Sequence, residues 1–292
     1  MTVPPFGVCG IIPLRRGRGG PPMNQRPIGV FDSGLGGLTA VRQLRRLMPS
    51  ENIIYFGDTA RVPYGNRSRD TLLKYARQDM GFLRGFDLKA VVIACGTVST
   101  NCLEDLQAES SIPVIGVVEP AVRRAAEISS ARRVGLAATR ASVSSGAYER
   151  AFRRLDPALE VYPLACPLLV PLVEEGRCRP GDAVIETVAA EYLLPLRERE
   201  IDTLVLGCTH YPLLTDVIGA LMGPEVALVD VGAEAARACR DLLACLDELA
   251  QRPAGSVSCY TSDRAVNFQR LAATFLGEDA AVPIQQIDIT KY

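Results

Sequence analysis

Residues 204–210 read LVLGCTH, an apolar run that ends in a cysteine, a threonine and the only histidine of the chain. Residues 91–97 read VVIACGT, again an apolar run followed by a cysteine and, within two residues, a threonine. Continuous runs of Val, Ile and Leu are typical of strands that are buried on both faces of a parallel sheet. The two stretches therefore predict two related strands, each with a thiol where the strand ends.

Two more pairs of apolar runs match in the same order along the chain. RVGLAA (133–138) resembles IGVF (28–31), and VALVDVG (226–232) resembles VIGVVEP (114–120). Three matched pairs at a nearly constant separation indicate two α/β halves of similar plan that face each other.

Longer stretches with a helical pattern lie between the apolar runs, for example LTAVRQLRRLM (38–48) and SRDTLLKYARQDMGFLRGF (68–86). Buried strands that alternate with helices predict a doubly wound α/β fold. We therefore expect two pseudo-symmetric α/β domains with doubly wound parallel sheets, and an active site in the cleft between them. The first domain takes residues 27–119 plus 229–292, and the second takes residues 120–228.

The N-terminal residues 1–26 are rich in proline, glycine and arginine, and we expect them to form a disordered tail. Their apolar part is short and precedes the arginines, which is the reverse of a secretory signal. Met23 lies just before the folded pattern, and we expect it to be a candidate for an alternative start of the protein.

The composition bounds the function. A net charge of −1 and a pI near 6.0 give no basic excess for nucleic acid or for an anionic membrane. The nine cysteines form no CxxC pair, so we expect reduced thiols and a cytoplasmic protein. One histidine and no clustered ligands argue against a metal site.

The chemistry centres on Cys95 and Cys208, which hold equivalent places in the two halves. Ligands of open parallel sheets bind outside the carboxyl ends of the strands, so the two thiols are expected to face one cleft. One thiolate can remove a proton from one face of a carbon while the opposite thiol protonates the other face. The alternatives are two buried core cysteines, or a Cys–His hydrolase that uses Cys208 and His210 alone.

A glycine-rich stretch, FDSGLGGLTAV (31–41), follows the first predicted strand. Its glycines allow a ligand to approach the backbone, and its amide groups can open a helix that binds an anion. Asp32 in this stretch is a candidate for holding an ammonium group or for assisting Cys95, and its alternative role is to cap a turn. The stretch FGDTARVPYGNRS (56–68) reads as a polar loop after the second strand.

Seven motifs give the chain a specific resemblance: FDSGLGGLTAV, YFGDTARVPYG, VVIACGT, IPVIGVVEPA, SSGAY, CPLLVPLVEEG and LGCTHYPLL. In this order, over about residues 27–290, they resemble the glutamate racemases, cofactor-independent isomerases of the aspartate/glutamate racemase superfamily. The resemblance implies that Cys95 and Cys208 are the two acid/base groups. It further implies that Asp32 assists the first thiol, and that His210 and Glu174 assist the second.

The resemblance also implies a set of substrate-binding residues for glutamate: Asp32, Ser33, Tyr64, Gly65, Gly96, Thr97, Thr139, Thr209 and His210. It implies L- and D-glutamate as substrates, a role in peptidoglycan synthesis and a homodimer. One position departs from the family pattern Cys-Asn-Thr, because this chain has Cys95-Gly96-Thr97. A lost hydrogen bond costs about 0.5–1.5 kcal/mol, and Asn101 is the nearby candidate to replace it.

No cofactor is expected. A pyridoxal enzyme needs a Schiff-base lysine, and none of Lys74, Lys89 and Lys291 adjoins a glycine-rich loop. The remaining alternatives are a racemase of the same superfamily for aspartate or a hydantoin, and a non-catalytic protein that binds an amino acid.

Overall fold

Two parallel β-sheets carry the fold in the computed structural model, which describes residues 23–263, 268–277 and 282–292. Within these residues, the first sheet is built from β1 (Ile28–Asp32), β2 (Ile53–Gly57), β3 (Ala90–Ile93), β4 (Val114–Ile115), β9 (Val257–Thr261) and β10 (Ile284–Gln286). The second sheet is built from β5 (Arg133–Ala138), β6 (Glu160–Ala165), β7 (Thr203–Leu206) and β8 (Ala227–Asp230).

The helices of the described residues connect these strands. They are α1 (Leu38–Leu47), α2 (Arg69–Leu83), α3 (Gly96–Asn101), α4 (Leu103–Ala108), α5 (Val118–Ile128), α6 (Arg140–Ser144), α7 (Ala147–Leu155), α8 (Leu169–Glu174), α9 (Ala183–Arg197), α10 (Thr215–Met222), α11 (Val231–Cys245) and α12 (Phe268–Leu276). Among these described helices, none combines the length and the apolar character that crossing a bilayer requires.

The two sheets share one strand order. The first sheet runs β10-β9-β2-β1-β3-β4 and the second runs β6-β5-β7-β8, so β2-β1-β3-β4 matches β6-β5-β7-β8 strand for strand. The three sequence pairs correspond to β1 with β5, β3 with β7 and β4 with β8. The prediction of two pseudo-symmetric, parallel-sheet α/β units is confirmed.

Burial explains why the central strands are parallel and apolar. Every strand pair is parallel, and β1, β3 and β7 are buried at all of their positions. Helices cover both faces of such strands, so polar residues are confined to the strand ends. The carboxyl ends of β1, β3, β5 and β7 are consequently the places where the chain turns polar.

The C-terminal part returns to the first sheet, since β9 pairs with β2 and β10 pairs with β9. Helix α11 packs against α1 and α5. The exact domain limits, 27–119 plus 229–292 and 120–228, stay a prediction. Of the expected tail, residues 1–22 lie outside the described residues, and Met23–Gln25 forms a 3₁₀ turn.

Two elements differ from the sequence prediction. The run VIGVV (114–118) is a strand only at Val114–Ile115, because α5 begins at Val118 and Pro120 suits the first turn of a helix. Strand β6 was not predicted, since Pro163 interrupts its pattern. Proline is tolerated there because β6 is an edge strand of the second sheet.

Candidate active site

A cavity of about 340 Å³ lies where the carboxyl ends of the two sheets meet. It is lined by every residue that the resemblance implied to be catalytic or substrate-binding: Asp32, Ser33, Tyr64, Gly65, Cys95, Gly96, Thr97, Thr139, Glu174, Cys208, Thr209 and His210. Both thiols therefore reach one enclosed space, one from each half of the molecule. Among the described residues, no group of three His, Cys, Asp or Glu side chains is arranged to hold a metal ion.

Cys95 follows β3 and directly precedes α3, whose first residue is Gly96. Its Sγ lies 3.6 Å from the Ser33 Oγ, and the side chain is almost completely buried. Burial, and next the charge of Asp32, raise the pKa of the Cys95 thiol, although the backbone N–H of Val98 and the Ser33 hydroxyl oppose the rise. These surroundings favour Cys95 as a protonated thiol, which is the form of an acid.

Asp32 is the last residue of β1 and is also buried. Its Oδ2 accepts hydrogen bonds from the backbone N–H groups of Gly34 (3.2 Å) and Gly37 (3.0 Å). Its Oδ1 has no partner among the described residues. Burial raises the pKa of Asp32, and the charge of His210 opposes this rise. Asp32 thus offers one free oxygen that can accept a proton or bind a cation.

Cys208 lies in a line of three side chains. The Nδ1 of His210 is 3.8 Å from the Cys208 Sγ, and its Nε2 is 3.0 Å from the Glu174 Oε1. Burial lowers the pKa of His210, but the hydrogen bonds to Cys208 and Glu174 and their charges outweigh burial and raise it to about 10. The imidazole is therefore held as a cation beside the second thiol at neutral pH.

The imidazole of His210 is packed as well as hydrogen-bonded. The ring of Phe275, on α12, meets it edge to face with centroids 5.4 Å apart. The Thr209 Oγ1 lies 3.4 Å from the His210 Nδ1. Phe275 gave no signal in the sequence, because its helix lies far along the chain from the LGCTH motif.

Hydroxyl groups join the two halves across the cavity. The Oγ1 atoms of Thr97 and Thr139 are 3.0 Å apart, and Thr139 also caps α6 by accepting a hydrogen bond from the Ser142 N–H. The Thr39 hydroxyl of the first half lies 3.0 Å from the Thr209 carbonyl oxygen of the second and 2.8 Å from that of Gly36, and these two acceptors share its one proton. The two halves are therefore in direct contact near the carboxyl ends of their sheets.

Asn101 does not take the place of the missing asparagine side chain at position 96. Its Nδ2 donates to the Thr97 carbonyl at 2.8 Å and contacts the Thr100 Oγ1 at 3.0 Å, within its own helix. Asn101 is not among the described residues that line the cavity. This part of the sequence interpretation is wrong because the amide is used to close the last turn of α3.

The sequence interpretation also missed several lining residues. They are Gly34, Val62, Pro63, Asn66, Arg140, Pro167, Val170, Pro171 and Gly207. Asn66 and Arg140 stand beside predicted site residues, in PYGN and AATR, and that adjacency was the available signal. Pro167 and Val170 read as an ordinary apolar stretch, so nothing in the sequence singled them out.

Comparison with known proteins identifies the family of this chain. The family model described as Asp/Glu/Hydantoin racemase matches residues 39–239. A glutamate racemase of Geobacter metallireducens is 46% identical over 258 residues, covering 87% of this chain and 94% of that protein.

Two solved structures are similar over nearly the whole chain. Glutamate racemase isoform RacE1 of Bacillus anthracis has a TM-score of 0.87 at 36% identity and covers 91% of this chain and 98% of its own. A glutamate racemase of Francisella tularensis in complex with D-glutamate has a TM-score of 0.85 at 36% identity, covering 92% and 100%. The resemblance seen in the sequence motifs is confirmed, and the chain belongs to the Asp/Glu/Hydantoin racemase family of isomerases.

Proposed function

We propose that this protein is a glutamate racemase that interconverts L- and D-glutamate by proton transfer at the α carbon between two cysteines. The observation that carries the proposal is the placement of Cys95 and Cys208 after the equivalent strands β3 and β7, with both thiols lining one cavity. The similarity to a curated glutamate racemase at 46% identity supports glutamate as the substrate. So does the similarity to a racemase structure that contains D-glutamate.

The proposed chemistry moves one proton in and one proton out. A thiolate on one wall removes the Cα proton and becomes a thiol, while the thiol on the other wall protonates the opposite face and becomes a thiolate. No electron is gained or lost, so proton transfer alone accounts for the reaction, and we propose that it needs no cofactor. The weakly acidic Cα–H is labilised by positioning and by charges fixed around the cavity.

The two walls have different roles in this proposal. An imidazolium such as His210 stabilises a thiolate beside it, and Glu174 holds that imidazolium in place. Cys208 is therefore assigned as the base toward L-glutamate. Cys95, buried beside Asp32 and Ser33, is assigned as the acid in that direction and as the base toward D-glutamate.

The proposed substrate contacts combine a free carboxylate oxygen and helix N-terminal amides with hydroxyl groups that line the cavity. The Oδ1 of Asp32 is free to accept the substrate ammonium. The backbone N–H groups of Gly96 and Thr97 lie in the first turn of α3, where amides have no helical partner and suit a carboxylate. The hydroxyl groups of Thr139 and Thr209, the Ser33 hydroxyl and the Tyr64–Gly65 backbone complete the proposed set.

The biological role is proposed from the resemblance. D-glutamate would serve peptidoglycan synthesis, with the protein acting in the cytoplasm as a homodimer. Glutamate is the proposed small-molecule partner, and we propose no binding to nucleic acid or to a membrane.

The test uses untagged, reduced protein with L-glutamate in D₂O and no added cofactor. We expect the Cα–H signal in the proton NMR spectrum and the circular dichroism of the amino acid to decay together, and aspartate to stay inert. If both signals persist with glutamate but decay with aspartate, the substrate assignment is wrong. If no amino acid exchanges its Cα proton, the racemase proposal itself is wrong.

One observation favours a second candidate, a Cys–His hydrolase. The Cys208–His210–Glu174 line supplies a nucleophilic thiol, an imidazolium that stabilises its thiolate and an orienting carboxylate at hydrogen-bonding distances. That reaction gives no role to Cys95. A Cys95→Ser variant separates the two candidates, because a hydrolase keeps its activity and a two-thiol racemase loses it.

A further inference from the structure

Two carboxyl groups are buried together behind one wall of the cavity. Asp58 follows β2, Asp79 lies on α2, and both side chains are fully buried. The guanidinium of Arg61 contacts both, with its Nε 2.5 Å from the Asp58 Oδ2 and its Nη2 2.9 Å from the Asp79 Oδ1. Two ionised carboxylates with one guanidinium would leave a net negative charge among buried side chains, which is costly.

The hydrogen bonds of Tyr64 indicate that one of the two carboxyl groups is protonated, which removes the net negative charge. The Tyr64 hydroxyl forms a short hydrogen bond with the Asp58 Oδ2 and lies 3.2 Å from the Asp79 Oδ2. A phenol has only one proton to donate. When that proton goes to Asp58, the contact between the Tyr64 oxygen and Asp79 lacks a proton, unless Asp79 itself carries one and donates it.

The other contacts of the two carboxyl groups agree with this assignment. The Ser262 hydroxyl donates to the Asp58 Oδ1 at 2.7 Å, so Asp58 accepts bonds on both oxygens and suits the ionised form. Asp79 accepts from Arg61 on its Oδ1, which leaves its Oδ2 for the proton.

The electrostatic surroundings favour the same form. Burial, and next the charge of Asp58, raise the pKa of Asp79 well above its usual range, and the more distant Asp32 adds to the rise. Arg61 and the hydrogen bond with Tyr64 oppose it. These groups come from β1, from the loop after β2 and from α2 itself, and the carboxylates outnumber the single cation.

This cluster holds the wall of the proposed substrate site. Tyr64 lines the cavity, and so do the neighbouring residues Val62, Pro63, Gly65 and Asn66. Because the hydroxyl of Tyr64 is bonded on the side of the buried carboxyl groups, it anchors this segment from behind.

We propose that Asp79 is a neutral carboxylic acid at neutral pH and donates its proton to Tyr64, which in turn donates to Asp58. Asp79 is thereby a positioning residue for cavity-wall residues 62–66. This role in positioning rests on the proposed function, whereas the protonation state of Asp79 does not.

The test compares Asp79→Asn with Asp79→Ala and Asp58→Asn. The amide of Asp79→Asn keeps a donor toward Tyr64 and an acceptor toward Arg61 without adding charge. We expect this variant to keep the wild-type melting temperature and a KM for glutamate within about twofold of wild type. Asp79→Ala loses both contacts, and Asp58→Asn removes the charge that pairs with Arg61, so both should raise KM by about tenfold or more.

An infrared spectrum provides a readout that needs no turnover. At pH 7 the wild type should display the carbonyl stretch of a protonated, buried carboxylic acid, and this band should be missing from Asp79→Asn. If no such band is lost, or if Asp79→Asn is as unstable as Asp79→Ala, the proposal is overturned. The infrared and melting results stand even if glutamate proves not to be the substrate, so the two proposals fail separately.

Discussion

A Cβ atom built on Gly96 lies 2.5 Å from the carbonyl oxygen of Gly207. Gly96 opens α3 in the first half, and Gly207 immediately precedes the second thiol in the other half. A side chain at position 96 therefore has no room, because the obstacle is backbone rather than the end of a flexible side chain. Gly96, which stands where the motif resemblance predicts an asparagine, is also the residue that lets the two halves approach each other here.

The close contact between Gly96 and Gly207 predicts the effect of introducing a side chain at position 96. Gly96→Ala and Gly96→Asn should both lower kcat/KM for glutamate, by about tenfold or more, because the cleft must open to relieve the contact. The measurement is steady-state racemisation followed by circular dichroism. Gly219→Ala is the control, since a Cβ at this helical glycine meets no atom beyond its chain neighbours and its own helix backbone within 4 Å. An increase in kcat/KM for Gly96→Asn would contradict the steric account.

The only histidine of the chain gives a direct electrostatic test. The pKa of His210 is raised to about 10, against about 6.5 for an unperturbed imidazole. Proton–nitrogen NMR on untagged protein should find the ring protonated at pH 8 and titrating near pH 10. A titration near pH 6.5 would contradict the Cys208–His210–Glu174 arrangement.

The raised pKa of His210 also has a consequence for stability. A group whose pKa is higher in the folded state stabilises the protein fully below its unfolded pKa, and this stabilisation is lost as the pH rises through the folded pKa. The difference in free energy of unfolding between wild type and His210→Gln should therefore be largest near pH 6 and should shrink toward pH 10. Urea unfolding at several pH values measures this difference in free energy of unfolding. A difference that grows as the pH rises would contradict the raised pKa of His210.

Glu174 should affect Cα–H exchange of one enantiomer more than that of the other. Glu174→Gln removes the carboxylate 3.0 Å from the His210 Nε2, which weakens the cation beside Cys208. We expect Cα–H exchange of L-glutamate to slow by about tenfold to a hundredfold, and more than exchange of D-glutamate. Glu175→Gln is a matched control, because the adjacent carboxylate is exposed. Equal slowing of both enantiomers would argue against separate roles for the two thiols.

The buried ion pair of Lys89 and Glu51, which lies outside the proposed active site, should contribute to the stability of the fold. The Lys89 Nζ lies 2.6 Å from the Glu51 Oε2, and it also donates to the Glu248 carbonyl at 2.7 Å. Lys89→Met should lower the free energy of unfolding by about 3–5 kcal/mol, because it leaves a buried carboxylate unpaired. The exposed Lys74→Met is the control. A loss below about 1 kcal/mol for Lys89→Met, as for a surface pair, would contradict this account.

The fold was largely predictable because buried parallel strands appear in the sequence as continuous apolar runs. The pairs 28–31 with 133–138 and 91–97 with 204–210 predict two sheets of similar plan from the sequence alone. Strand β6 was not predicted because Pro163 breaks its apolar pattern. Proline is tolerated there because β6 lies at the edge of the sheet, and the position of a strand within a sheet is a property of the tertiary structure.

The site was predictable where a reactive side chain stands at the end of a predicted strand. Cys95, Cys208 and Asp32 stand at strand ends, so their convergence followed from the fold. The packing of Phe275 on His210 and the closeness of Asp58 to Asp79 join residues that are far apart in sequence. No local pattern encodes such contacts, and only the packed structure reveals them.

The most direct test of the central claim follows Cα–H exchange in D₂O for each enantiomer of glutamate with Cys95→Ser and Cys208→Ser. Two-thiol proton transfer predicts that each variant loses net racemisation by a factor on the order of 10²–10⁴. It also predicts that any remaining exchange is one-sided, with Cys95→Ser acting on L-glutamate and Cys208→Ser on D-glutamate. Wild-type racemisation by either single variant would contradict the account, because one thiol would then suffice.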